Sequence, residues 1–139
     1  MKSALGCSGI TGNVVYGGAT SVAYPYGSNH RFSFVGNAAR CITSCAAQST
    51  SPNGNAGVDG MISVVAHELE EAATDPDGKT WYARSGKENA DVCAGTFGTS
   101  YQVANGSFAN MKLGTRDFLM QRNVDFRATG GQYCDLAHK

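Results

Sequence analysis

The strongest pattern of apolar and polar positions lies between residues 61 and 74. Met61, Ile62, Val65, Leu69, Ala72 and Ala73 recur at the spacing of one helical face. Asp59 stands where an N-cap is wanted, and Pro76 biases Asp75 away from helical geometry. The spacing therefore predicts a helix over about 60–74, followed by a turn at Asp77-Gly78.

Elsewhere the pattern is one of short strands. Residues 13–24 read as two β-leaning runs split by Gly17-Gly18, and Tyr24-Pro25-Tyr26-Gly27 reads as a turn. Arg31-Phe32-Ser33-Phe34-Val35 begins by alternating like a half-buried strand. Residues 37–48 have weak helical character, and 49–57 is loop by its breakers. Segments near 80–84, 99–104, 107–113 and 117–120 predict further short strands. The expected class is α+β: a small, mostly antiparallel sheet packed on one central helix, with glycine-rich loops and disulfides.

Composition narrows the function classes. The 139 residues are 42% hydrophobic and 16% charged, which suits one domain spanning 1–139. Eleven Lys+Arg balance eleven Asp+Glu, so there is no basic stripe for nucleic acid and no polybasic membrane patch. No apolar run approaches the roughly 18 residues that a spanning helix needs. Neither nucleic acid nor membrane is expected as a partner. The 18 glycines are nearly twice the usual share of about 7% and point to turn-rich backbone.

Five cysteines are many for so short a chain, and they lack zinc-finger spacing. With few charges and many small polar residues, they suit an oxidising, extracellular setting. The pairing adopted is Cys41–Cys45 and Cys93–Cys134, leaving Cys7 over. Met1-Lys2-Ser3-Ala4-Leu5-Gly6 starts like a signal peptide but no apolar stretch follows. The expectation is a carboxy-terminal part of a longer secreted precursor, with Cys7 facing a missing segment or a partner chain.

The helix carries His67-Glu68-x-x-Glu71. His67 and Glu71 lie about one turn apart and converge on one ion from the same face. Glu68 is rotated by about 100° and stands as the candidate general base. This is the H-E-x-x-H arrangement of zinc peptidases with a carboxylate in place of the second imidazole. A third ligand is required, and Asp75, Asp77, Glu88 and Asp91 all follow the helix. Asp75 either binds the ion or caps the next turn. His30 reads as a loop or surface histidine, His138 as part of the tail, and Trp81-Tyr82 as core or sugar platform. Asn105-Gly106-Ser107 is the one N-glycosylation sequon.

Phe34-Val35-Gly36-Asn37, followed by Cys41 and Cys45, resembles the W-V-G-N…C-x-x-x-C stretch of the EXORDIUM / phosphate-induced protein family. Phe34 replaces the Trp, and the cysteine pair lies one residue closer to the Asn. Pro52-Asn53-Gly54-Asn55-Ala56-Gly57-Val58-Asp59-Gly60-Met61 is similar to the family's P-N…G-x-D-G-M, and the likeness continues through Cys93 and Phe97-Gly98 to Cys134. It covers the chain from about residue 30 onward, without the family's amino-terminal half. Plant members carry Ser-Leu-Leu-type residues where this chain has His67-Glu68-Leu69. A microbial-type form, H-E-L-x-E-A-x-T-D-P then W-Y and E-N-A-D-x-C, matches from His67 to Cys93.

The resemblance implies a secreted, cell-wall or extracellular protein with a zincin-like site in this branch. His67 and Glu71 are then zinc ligands and Glu68 the base; Asp91 is the preferred third ligand and Glu88 the next. The function that follows is a metal-dependent hydrolase, a peptidase acting on a peptide or cell-wall substrate. The competing expectation is a non-catalytic extracellular or wall protein whose metal, if any, is structural. A third is a structural component of an extracellular assembly.

Overall fold

The computed structural model describes residues 16–23, 29–40, 42–75, 79–125 and 133–136. Strand β1 (Tyr16–Ala23) pairs antiparallel with β2 (Asn29–Phe34), placing Tyr16 opposite Phe34 and Ala23 opposite Asn29. The strand runs through Gly17-Gly18 instead of breaking there. The glycines coincide with a register irregularity between Tyr16 and Thr20, the local accommodation that strand glycines permit. A 3₁₀ turn at Ala38–Arg40 and the short helix α1 (Ile42–Cys45) fall in the weakly helical segment.

Helix α2 (Ala56–Thr74) is the longest described element. It starts four residues before the expected position because Asn55, not Asp59, caps it, accepting the Val58 N–H at 3.1 Å. Asp59 lies inside the first turn, where the helix dipole favours an acid. Its carboxylate accepts from the Ser51 hydroxyl, the Asn53 backbone N–H at 3.1 Å and the Asn53 side-chain amide at 3.0 Å. Gly57 and Gly60 allow close approach to the preceding helical segment. A Cβ on Gly57 would meet the Asn37 side chain and the Ala39 nitrogen, and one on Gly60 would stand 2.9 Å from Ala46 Cβ.

The orientation of α2 reverses part of what its pattern suggested. Val65 and Leu69 are 45% and 67% exposed, whereas His67, Glu68 and Glu71 are buried. Of the described apolar residues, Val64 joins Ala38 and Cys45 in a small core flanked by Val35 and Ile42. A helix that buries its acids against neighbours needs compensation for their lost hydration.

No strand forms at 80–84. Asp75 accepts the N–H groups of Lys79 and Thr80, Trp81 takes a left-handed φ of 58°, and a turn follows in which Gly86 N–H bonds Ala83 C=O at 2.8 Å. Helix α3 (Asn89–Val92), not expected from the sequence, comes next. The remainder is a series of short antiparallel pairs. Strand β3 (Tyr101–Gln102) pairs with β4 (Phe108–Ala109), β5 (Met111–Leu113) with β6 (Arg116–Phe118), and β7 (Asn123–Asp125) with β8 (Tyr133–Asp135). The fold is thus α+β with four small two-stranded antiparallel sheets among the described residues, not one sheet on the helix. Asn110 divides the expected 107–113 strand. Its side chain donates to the carbonyls of Phe97 and Met120, at 2.7 and 2.8 Å, and accepts the Met120 N–H at 2.8 Å.

Cys93 and Cys134 form the expected disulfide, tying the end of α3 to β8. Cys45 is also disulfide-bonded; Cys7, Cys41 and His138 lie outside the described residues. Among the described residues, no helix is long and apolar enough to cross a membrane.

Candidate metal centre

Two helices build the site. α2 presents His67 and Glu71 one turn apart, and α3 brings Asp91 against them. His67 Nε2 lies 2.9 Å from Glu71 Oε1 and 3.7 Å from Asp91 Oδ1. One potential ligand atom from each of the three residues falls within 4.8 Å of the others. The α3 backbone is fixed to the same carboxylate, for Asp91 N–H donates to Glu71 Oε1 at 3.2 Å. Asn89 adds a second tie. Its amide donates to Glu70 at 3.3 Å while its oxygen accepts the Val124 N–H at 2.8 Å.

Glu68 is the most unusual group. It is 1% exposed, and neither carboxylate oxygen has a hydrogen-bond partner among the described residues. Burial pushes its pKa up to about 7; His67 opposes the shift, and the carboxylates of Glu71, Glu88 and Asp91 add to it. His67 feels the converse. Burial disfavours its charged form, but Glu71, with Glu68 and Asp91, outweighs this and raises its pKa.

The other sequence candidates go elsewhere. Asp75 is the C-cap residue of α2 and outside the three-residue group. Its carboxylate accepts Lys79 N–H at 2.6 Å, Thr80 N–H at 2.9 Å and the Thr80 hydroxyl at 3.2 Å. Burial alone would raise its pKa, but the bonds from Thr80 and Lys79, with the Tyr82 hydroxyl, hold it below the ordinary value. Its geometry is that of the capping alternative. The same contact with Asp75 pushes the Tyr82 phenol up to about 12, and Trp81 and Tyr82 are both exposed instead of forming core. Glu88 also stands outside the group, although its charge is felt at Glu68. Asp77 is outside the described residues, and His30 lies in β2 opposite Val22. Within the sequon, Asn105 donates to the Ser51 carbonyl at 2.8 Å and Ser107 is fully buried.

The residue missed by sequence reasoning is Gln121. It is buried, its Nε2 lies 3.0 Å from His67 Nδ1, and its backbone N–H donates to Ser63 on α2 at 2.9 Å. Nothing local marks it, since its partner is 54 residues away along the chain.

An imidazole and two carboxylates, beside a third carboxylate stripped of hydrogen-bond partners, form a donor set suited to a divalent cation. His67 supplies a borderline nitrogen that zinc accepts, and the oxygens also suit harder ions.

Comparison with known proteins places the chain in a family. The phosphate-induced protein 1 conserved region matches residues 10–118. The chain belongs to the phosphate-induced protein 1 family. Within that family it is similar to two proteins of Arabidopsis thaliana. It is 48% identical to Protein EXORDIUM-like 3 over 67 residues, covering 45% of this chain and 19% of that protein. It is 44% identical to Protein EXORDIUM-like 5 over 52 residues, covering 34% and 14% respectively. The matches to these curated family members therefore span less than a fifth of their length. No solved structure matches the chain.

Proposed function

We propose that this member of the phosphate-induced protein 1 family is an extracellular, cation-dependent hydrolase, in the first instance a zinc peptidase. His67, Glu71 and Asp91 hold the metal. The observation that carries the reading is Glu68, a buried carboxylate with no hydrogen-bond partner among the described residues, next in sequence to His67 and within reach of the charges of the His–Glu–Asp group. A cation there offsets the cost of burying so many acids. When bound, it supplies Lewis-acid polarisation of a carbonyl and of water.

The chain's own residues do the rest. Glu68 accepts a proton from attacking water and returns it to the leaving amine. Glu71 positions both His67 and the α3 backbone. The substrate class in this reading is a peptide or a peptide-bearing wall polymer. Family membership, the sparse charge and the Cys93–Cys134 disulfide support an extracellular location.

One observation favours a second reading. His67 and Glu71 are only 2% and 7% exposed, which suits a structural metal in a non-catalytic extracellular protein. Metal analysis combined with hydrolysis of a fluorogenic peptide library separates the two. Stoichiometric zinc, with hydrolysis lost in Glu68→Gln while zinc remains, supports the enzyme. Stoichiometric zinc without hydrolysis supports the structural role, and no bound divalent cation removes both.

A further inference from the structure

The side of His67 away from the carboxylates is occupied by Gln121, whose amide direction is fixed by two backbone groups. Gln121 Oε1 accepts the Gly95 N–H at 3.3 Å, and Nε2 donates to the Ala90 carbonyl at 3.0 Å. Turned over, the amide would set oxygen against carbonyl and NH₂ against N–H. The same Nε2 approaches His67 Nδ1 at 3.0 Å. An amide nitrogen only donates, so Nδ1 is the acceptor and the neutral ring carries its proton on Nε2. That proton points towards Glu71 and Asp91.

A cation at Nε2 needs the lone pair that this tautomer has filled. The Nε2 proton must leave and Nδ1 must gain one, which places Nδ1–H against a donor. A ligating histidine ordinarily gives its second N–H to an acceptor, and such partners alter metal affinity by about 10–100-fold. Here the partner faces the wrong way until its amide turns over, breaking the bonds to Ala90 and Gly95.

We propose that Gln121 is a positioning residue that sets the cation affinity of the His67–Glu71–Asp91 group, holding His67 in the tautomer that does not coordinate. The inference rests on the reading of that group as a cation site. It couples loading to the Ala90–Gly95 segment, which contains Asp91. A competing arrangement that must be undone lowers the apparent affinity below what the donors alone would give.

The test uses zinc alone, measured by chelator competition on wild type, Gln121→Glu and His67→Ala, with ¹⁵N NMR of the His67 ring. A carboxylate at 121 still accepts the Gly95 N–H and also accepts Nδ1–H, while giving up the bond to the Ala90 carbonyl. Gln121→Glu is expected to bind zinc at least about tenfold tighter than wild type. At a pH high enough for the ring to be neutral, the metal-free wild-type His67 is expected to carry its proton on Nε2, moving to Nδ1 with zinc; this reading needs no variant. Equal or weaker zinc binding in folded Gln121→Glu, or the Nδ1–H tautomer in the neutral metal-free wild-type ring, overturns the inference and leaves the cation site standing. Failure of the wild type to bind zinc overturns both.

Discussion

Glu71 Oε1 accepts the backbone N–H of Asp91 at 3.2 Å and also lies 2.9 Å from His67 Nε2. One carboxylate oxygen thus joins the imidazole of α2 to the backbone of α3. Glu71→Ala should lower zinc affinity by at least about 100-fold through loss of a ligand and its negative charge. It should also speed hydrogen exchange at the Asp91 amide in metal-free protein. Unchanged exchange there would show that the Glu71 bond does not hold α3 in place.

The pKa of Glu68 makes metal-free stability depend on pH with a defined sign. Its folded value, about 7, lies above its ordinary 4.5, so between those values the native state holds more protons than the unfolded state. Stability therefore falls as pH rises through that window, by about 3 kcal/mol at most at 1.36 kcal/mol per pKa unit. Denaturant unfolding of wild type minus Glu68→Gln, from pH 4.5 to 7.5, reports this contribution together with the part of the His67 shift that Glu68 causes. A flat difference would contradict the burial argument.

The Cys93–Cys134 link spans 41 residues, so its removal should cost about 4 kcal/mol of stability by loop entropy. Because Cys93 closes the segment that carries Asp91, the Cys93→Ala/Cys134→Ala protein should also bind zinc more weakly. Thermal melts and chelator competition on the double variant check both effects. Undiminished zinc affinity would separate the disulfide from the site.

Gly57 tests the packing of α2. Alanine normally gains about 1 kcal/mol over glycine inside a helix. Here the new methyl would meet the Asn37 side chain and stand 2.9 Å from the Ala39 nitrogen, so Gly57→Ala should destabilise by about 1–3 kcal/mol. An increase in melting temperature would show that the 3₁₀ turn yields.

The helix was legible because apolar residues recur at its period, but periodicity does not say which face turns inward. Leu69 remains 67% exposed while the neighbouring Glu68 is buried, an outcome set by α3 and by the segment after β6, not by α2 itself. Both Asn55 and Asp59 are capping residues, and tertiary bonds from Ser51 and Asn53 to Asp59 leave the cap to Asn55. The 80–84 segment looked like a strand because its turn depends on the Asp75 carboxylate and on the backbone of Trp81. His67, Glu68 and Glu71 were visible as a helical motif, and Asp91 as one of the acids that follow the helix within the family resemblance. Gln121 was not visible, since only folding brings it to His67.

The most direct measurement is the zinc content of the purified protein beside His67→Ala and Asp91→Ala, after dialysis against a weak chelator. One zinc per wild-type chain, lost from both variants, is the result expected if these residues hold the metal next to Glu68. A wild type without bound zinc, or variants that keep it in full, would contradict the central claim.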